Sequence, residues 1–162
     1  MPPGYVTLPG SEHQPMAGSR AIGPAAPDER ITATLIVRRK AALPAAGAAE
    51  TLGQAARPAR QPIPRADFAA RYGADPADLA AVEAFARGHD LEVTASDAAR
   101  RSVTLDGTVQ AFASAFGVEL QLFQHDGGTY RGFSGPIYLP AELAGVVEAV
   151  LGLDDRAVVR PR

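Results

Sequence analysis

Cysteine is absent from the 162 residues, which removes disulfides, thiolate nucleophiles and zinc–thiolate centres together. Asparagine is absent as well, so N-linked glycosylation and asparagine-based oxyanion holes are excluded. Lys40 is the one lysine, and Schiff-base chemistry has no other place to reside. Aromatics make up only 6% of the chain, so Phe68, Phe85, Phe112, Phe116 and Phe123 are expected to carry a large share of the packing. A net charge of −2 is not the basic footprint of a nucleic-acid binder. No apolar run approaches the roughly 18 residues that a membrane span requires. Met1-Pro2-Pro3-Gly4 has no basic start, and no apolar stretch follows it, so no secretory leader is expected.

Hydrophobic residues amount to 46%, enough to bury a core even though alanine supplies much of them. Residues 1–29 are rich in proline and glycine without a sustained period, and they predict an irregular arm. Ile31–Arg38 then alternates, placing Ile31, Ala33, Leu35 and Val37 on one face of a half-buried strand. From Ala41 to Pro64 the composition falls to alanine, glycine, proline and glutamine, a low-complexity loop of unusual length.

Two helices are predicted next, a short one over Ala66–Tyr72 and a longer one after Asp75. Asp75 suits an N-cap and Pro76 the first helical position, while Leu79, Val82, Phe85 and Ala86 share a face that Gly88 closes. Leu91–Ala95 and Ser102–Leu105 are predicted strands. Val109, Phe112, Ala113 and Phe116 form the stripe of a helix over Gly107–Phe116, with Gly117 as its stop. Val118–Leu122 alternates as a strand. Asp126-Gly127-Gly128 turns into Thr129-Tyr130-Arg131 as a hairpin. Ile137–Leu139 is extended, Pro140–Leu143 starts a helical turn, and Val146–Leu153 fits a final strand or a short helix.

This order is β, α, β, β, α, β with an added hairpin. It predicts an α+β, ferredoxin-like fold: an antiparallel sheet with two helices on one face. The other face meets water or a partner. The folded unit spans residues 30–156, and residues 157–162 begin a linker.

Reactive constellations are missing. His13, His89 and His125 are the only histidines, and no two have metal-ligand spacing. Ser134 sits among glycines in the wrong register for a nucleophile elbow. Asp154 and Asp155 are adjacent on an extended segment and point apart, which suits a cap or an ion pair rather than a shared proton. Arg131-Gly132-Phe133-Ser134-Gly135 approaches an RNA-recognition signature, but Ser134-Gly135-Pro136 breaks it. The expectation is a chain without catalytic residues, metal ligands or a cofactor. Tyr130, Phe133 and Tyr138 cluster by the hairpin, where they either pack locally or form an interface patch.

Several segments together resemble a known family. They are Leu8-Pro9-Gly10-Ser11-Glu12, Gly23-Pro24 leading to Glu29-Arg30, Val37-Arg38-Arg39, Phe85-Ala86 with His89, Thr104-Leu105-Asp106-Gly107-Thr108, Ala115-Phe116-Gly117-Val118, Tyr130-Arg131-Gly132, and Val150-Leu151-Gly152-Leu153-Asp154-Asp155-Arg156. In this order they are similar to the activation propeptide of the sedolisin serine-carboxyl peptidases, the pro-kumamolisin type.

The resemblance implies a secreted precursor whose prosegment assists folding of a subtilisin-like catalytic domain and keeps it inactive until self-cleavage in acid. It places the catalytic set and a calcium site in that domain, not in this chain. The linker at 157–162 would then lead toward the catalytic cleft. Glu119, Phe123, Tyr130, Arg131, Phe133, Tyr138, Asp154, Asp155 and Arg156 are the candidate contacts to that partner. Glu119, Glu142, Asp154 and Asp155 are candidate contacts that acid would weaken, since 18 carboxylates offset 16 basic residues at neutral pH. A stand-alone ferredoxin-like adaptor with another protein partner is the alternative; neither reading includes nucleic acid or a membrane.

Overall fold

The structure, a computed structural model, describes residues 2–43 and 62–157. Most of the low-complexity loop (44–61) and the end of the linker (158–162) lie outside the described residues.

Alternation in the first long strand sets the core. Strand β3, Arg30–Val37, buries Ile31, Ala33, Leu35 and Val37, as its period-two pattern requires. Its partner β5, Ser102–Thr108, sets Leu105 opposite Ala33 and Val103 opposite Leu35. Strands β4, Glu92–Asp97, and β9, Val147–Leu151, complete a sheet of order β4-β5-β3-β9 in which every pairing is antiparallel. The connections run β3 to a helix to β4, then β5 to a helix to β9, which is the ferredoxin-like order. The final strand is therefore Val147–Leu151, and it is the fourth member of the main sheet.

Caps determine where the helices start. Helix α2, Pro76–Arg87, begins where the Asp75 carboxylate accepts from Ala77 N–H at 2.8 Å, with Pro76 at its first position. Helix α3, Val109–Phe116, begins two residues later than the expected Gly107. The reason is that β5 stays paired with β3 through Thr108, opposite Arg30, and the Thr108 hydroxyl then caps Ala111 N–H. Gly117 at φ 61° ends α3 in the left-handed conformation that glycine adopts at no steric cost.

Leu79, Val82, Phe85 and Ala86 from α2 and Phe112 and Phe116 from α3 join the inward side chains of the sheet in one core. Phe85 meets Phe116 edge-on at 5.6 Å, and Phe112 and Phe116 are fully buried. Each such side chain contributes about 1.5–3 kcal/mol by leaving water. Phe68 does not share this role. It lies on α1, Arg65–Tyr72, a helix with no buried residue, and is 38% exposed beside Tyr72 and beneath Arg39.

The N-terminal arm is not irregular. Strand β1, Tyr5–Thr7, pairs antiparallel with β8, Tyr138–Pro140, and Pro140, the last residue of β8, also opens the expected turn, its carbonyl accepting from Leu143 N–H at 2.8 Å. Strand β2, Arg20–Pro24, pairs with β6, Gln121–His125, which forms the predicted hairpin with β7, Gly128–Gly132. The expected strand at Val118–Leu122 thus starts three residues later and joins a second, three-stranded sheet of order β2-β6-β7. Leu8, Ala25 and Phe133 tie this layer to the main core.

Candidate protein interface

Strand alternation that buries one face of the main sheet leaves the other bare. On β3 the outward residues are Thr32, Thr34 and Ile36; on β5 they are Ser102, Thr104 and Asp106, all half-buried or exposed. Register sets Thr34 between Thr104 and Leu151, and Ile36 between Ser102 and Ala149. The centre of this face is therefore small, β-branched or aliphatic and carries no charge, and Leu151 is 55% exposed.

Charges stand at the two ends of the strands. Arg30 binds Asp106 through Nε at 3.0 Å and also through Nη2, and Thr32 Oγ1 donates to the same carboxylate at 3.2 Å. The hydrogen bonds from Arg30 hold the Asp106 carboxyl below the usual carboxylate range. At the other end Arg101 Nη1 meets Glu148 Oε2 at 2.7 Å. An uncharged centre with a charged rim is the anatomy of a protein-binding surface. The signal for it in the sequence is the complement of the alternation that marks the core.

The residues proposed as partner contacts occupy other places. Phe123 and Tyr130 are buried, stacked at 5.3 Å inside the hairpin. The Tyr130 hydroxyl accepts from Met16 N–H at 2.8 Å and lies 3.1 Å from Ser19 Oγ, so the arm covers it. Phe133 is also buried, stacked on His13 at 4.7 Å. Tyr138 is half-buried in β8, its ring against Gly117. The aromatics of the hairpin region pack within the chain, and the idea of an exposed aromatic patch is corrected accordingly. Glu119 stands apart, exposed and bound by Gln121 Nε2 at 3.0 Å.

The remaining four meet at the exit of the chain. Arg131 is 7% exposed; its Nε donates to Leu153 O at 3.2 Å and its Nη1 to Glu29 Oε1 at 2.8 Å. Asp155 accepts from the Arg131 backbone N–H at 2.5 Å and returns its own N–H to Arg131 O at 3.0 Å. Asp154 accepts from Arg156 through Nε at 2.9 Å, Nη2 at 2.6 Å and the backbone N–H at 2.7 Å. His13 Nε2 lies 2.8 Å from the same carboxylate. A side chain at Gly132 would place Cβ 2.9 Å from Asp154 Oδ2, so this close approach needs glycine.

Burial works to raise the Asp154 carboxyl. The Arg156 side chain and backbone, together with His13, outweigh it and leave the group below the usual carboxylate range. Asp154 is thus engaged within the chain, and it is a poor acid-labile contact to anything outside.

The histidines are engaged in structure too. His89 Nδ1 donates to Phe85 O at 2.9 Å and its Nε2 accepts from the Tyr5 hydroxyl at 3.0 Å. His125 Nδ1 accepts from Gly127 N–H at 3.1 Å. Among the described residues no histidine nitrogen is hydrogen-bonded to a serine hydroxyl.

Residues 17–156 match the family model described as the pro-kumamolisin activation domain. The chain is also 39% identical over 139 residues to kumamolisin from Bacillus sp. (strain MN-32), covering 86% of this chain and 25% of kumamolisin. It thus spans about a quarter of the length of the curated relative it matches. Strand β1 and His13 lie before the matched span, and Arg156 is its last residue.

Proposed function

Because the chain belongs to the pro-kumamolisin activation-domain family, we propose that it is the non-catalytic prosegment of a secreted, sedolisin-type serine peptidase. Its open sheet face packs on the sedolisin catalytic domain, assists that domain to fold and holds it inactive. The observation that carries this reading is the uncharged centre of the sheet, Thr34, Ile36, Ser102, Thr104 and Leu151, rimmed by ion pairs at both strand ends.

Release follows from charge. As pH falls, carboxylates at the rim and on the surface lose charge while the 16 basic residues keep theirs, so the prosegment gains positive charge and its carboxylate contacts weaken. Glu119, Glu142 and Asp155, all exposed, remain candidates for such contacts. Self-cleavage in acid then separates the prosegment from the enzyme. Calcium belongs to the catalytic domain in this reading. Among the described residues of this chain no group of three or more His, Asp or Glu could hold it.

The test is inhibition of the mature cognate peptidase by the separate 162-residue chain. Inhibition should be tight at neutral pH and weaken in acid. Thr104→Arg, at the centre of the face, should weaken it by about thirtyfold or more, the scale of an interface hot spot of ~2 kcal/mol. An affinity unchanged between about pH 7 and about pH 3 would refute electrostatic release. An absence of inhibition at any pH would refute the prosegment reading and favour an adaptor with another partner.

A further inference from the structure

We propose that His13, Asp154 and Arg156 form a proton-sensitive clamp on the exit of the chain, in which acid transfers Asp154 from the arginine to the imidazole. The proton exchange rests on contacts within this chain, and its consequence for a connecting segment rests on the prosegment reading.

His13 is held in place independently of its ring nitrogens. Its N–H donates to Gly135 O at 3.0 Å and its carbonyl accepts from Gly135 N–H at 2.9 Å, an isolated antiparallel bridge. Its ring stacks on Phe133 at 4.7 Å with an interplanar angle of 19°. The imidazole is thereby presented to Asp154 and Arg156.

One nitrogen faces two partners of opposite demand. His13 Nε2 lies 2.8 Å from Asp154 Oδ2 and is also in contact with Arg156 Nη2. A carboxylate can only accept and a guanidinium can only donate, so a single ring nitrogen cannot satisfy both. With Nε2 bare, it accepts from Arg156, which also donates to Asp154 and to Gln14 O at 3.1 Å. When Nε2 takes up a proton, the imidazolium donates to Asp154 and meets the guanidinium as a like charge.

Arginine keeps its charge throughout, so protonation sets two cations beside one carboxylate. The His13 side chain is 32% exposed and that of Arg156 27%, but the imidazole is also fixed by its backbone bridge and its stack on Phe133. Arg156 gives way.

Of the other carboxylates nearby, two are already paired. Glu148 lines the same groove but is bound by Arg101, and Asp155 is bound to Arg131, which also holds Glu29. Glu12, on the arm, lines the groove as an exposed side chain. The Tyr130 ring, 5.5 Å from the guanidinium carbon, loses its cation on release. The functional consequence is a connecting segment held at neutral pH and loosened in acid from its first residue onward.

The experiment is an NMR pH titration of the 15N-labelled 162-residue chain, following the His13 ring nitrogens and the Arg156 Nε–H. At neutral pH, His13 Nε2 should show the shift of an unprotonated nitrogen. As His13 protonates, hydrogen exchange at Arg156 Nε–H, taken relative to its intrinsic base-catalysed rate at each pH, should accelerate about fivefold, the loss of one partly exposed ion pair, with the same midpoint. His13→Gln cannot charge and should abolish that co-titration. A proton already on Nε2 at neutral pH, or an Arg156 signal indifferent to the His13 titration, would overturn the proposal. Should His13→Gln fail to fold, the wild-type traces decide alone.

Discussion

Replacing Arg131 with alanine removes the residue that joins the hairpin to the chain exit, and its partners respond differently. The Glu29 and Asp155 side chains are 43% and 49% exposed, so water replaces the guanidinium there. Ion pairs of that kind contribute about 0–1 kcal/mol each. Leu153 is 1% exposed, and its carbonyl accepts from Arg131 Nε where water does not reach. A buried acceptor left without a donor costs about 1–3 kcal/mol. The apolar stem of Arg131 also packs, and its loss leaves space that the backbone around Gly132 fills only in part.

The total for Arg131→Ala is therefore about 2–4 kcal/mol of stability. With a urea m-value of about 2 kcal/mol/M, the unfolding midpoint should fall by about 1–2 M. Glu29→Ala should cost less than about 1 kcal/mol in the same assay. The ordering matters more than the absolute value. If Arg131→Ala cost no more than Glu29→Ala, the contact to Leu153 O would not be the source of the stability, and the reasoning would fail.

Phe112→Ala should cost about 3–5 kcal/mol by calorimetry, since its ring is fully buried between α3 and the sheet; Phe68→Ala, on a helix that buries nothing, should cost less than about 1 kcal/mol. Asp154→Asn should flatten the acid limb of the stability curve. The folded carboxyl sits below its ordinary value, so its contribution is present above the unfolded aspartate pKa of ~3.9 and disappears as pH falls through the lower folded value. Wild type should therefore lose stability from about pH 4 downward more steeply than the variant in acid unfolding scans.

The parts of the fold legible in the sequence are those whose signals are local. Ile31, Ala33, Leu35 and Val37 mark a buried face by spacing alone, and Asp75-Pro76 marks a helix start by cap chemistry that needs no distant partner. Strands β1 and β2 carry no such mark. The first is three residues long and pairs with residues near 140; the second contains Gly23 at φ 153° and a bulge after Ala21. A strand that short and interrupted exists because β8 and β6 hold it, and propensity is silent about that. The boundary of α3 moved for the same reason, because ladder pairing with Arg30 outlasted the helix pattern at Gly107 and Thr108.

The misread arm also left the hairpin aromatics undecided. With residues 1–29 taken as irregular, nothing covers Tyr130 and Phe133, and packing within the chain and an interface patch are both open to them. In the structure Met16, Ser19 and His13 supply the cover, so those rings stabilise the chain and are unavailable to a partner. The face on which the proposed docking rests carries the side chains that look least distinctive: Thr34, Ile36, Ser102 and Thr104, the off-phase residues of two strands identified for their other face. A period-two pattern marks the buried phase by its apolar residues and leaves the outward phase legible only as the complement.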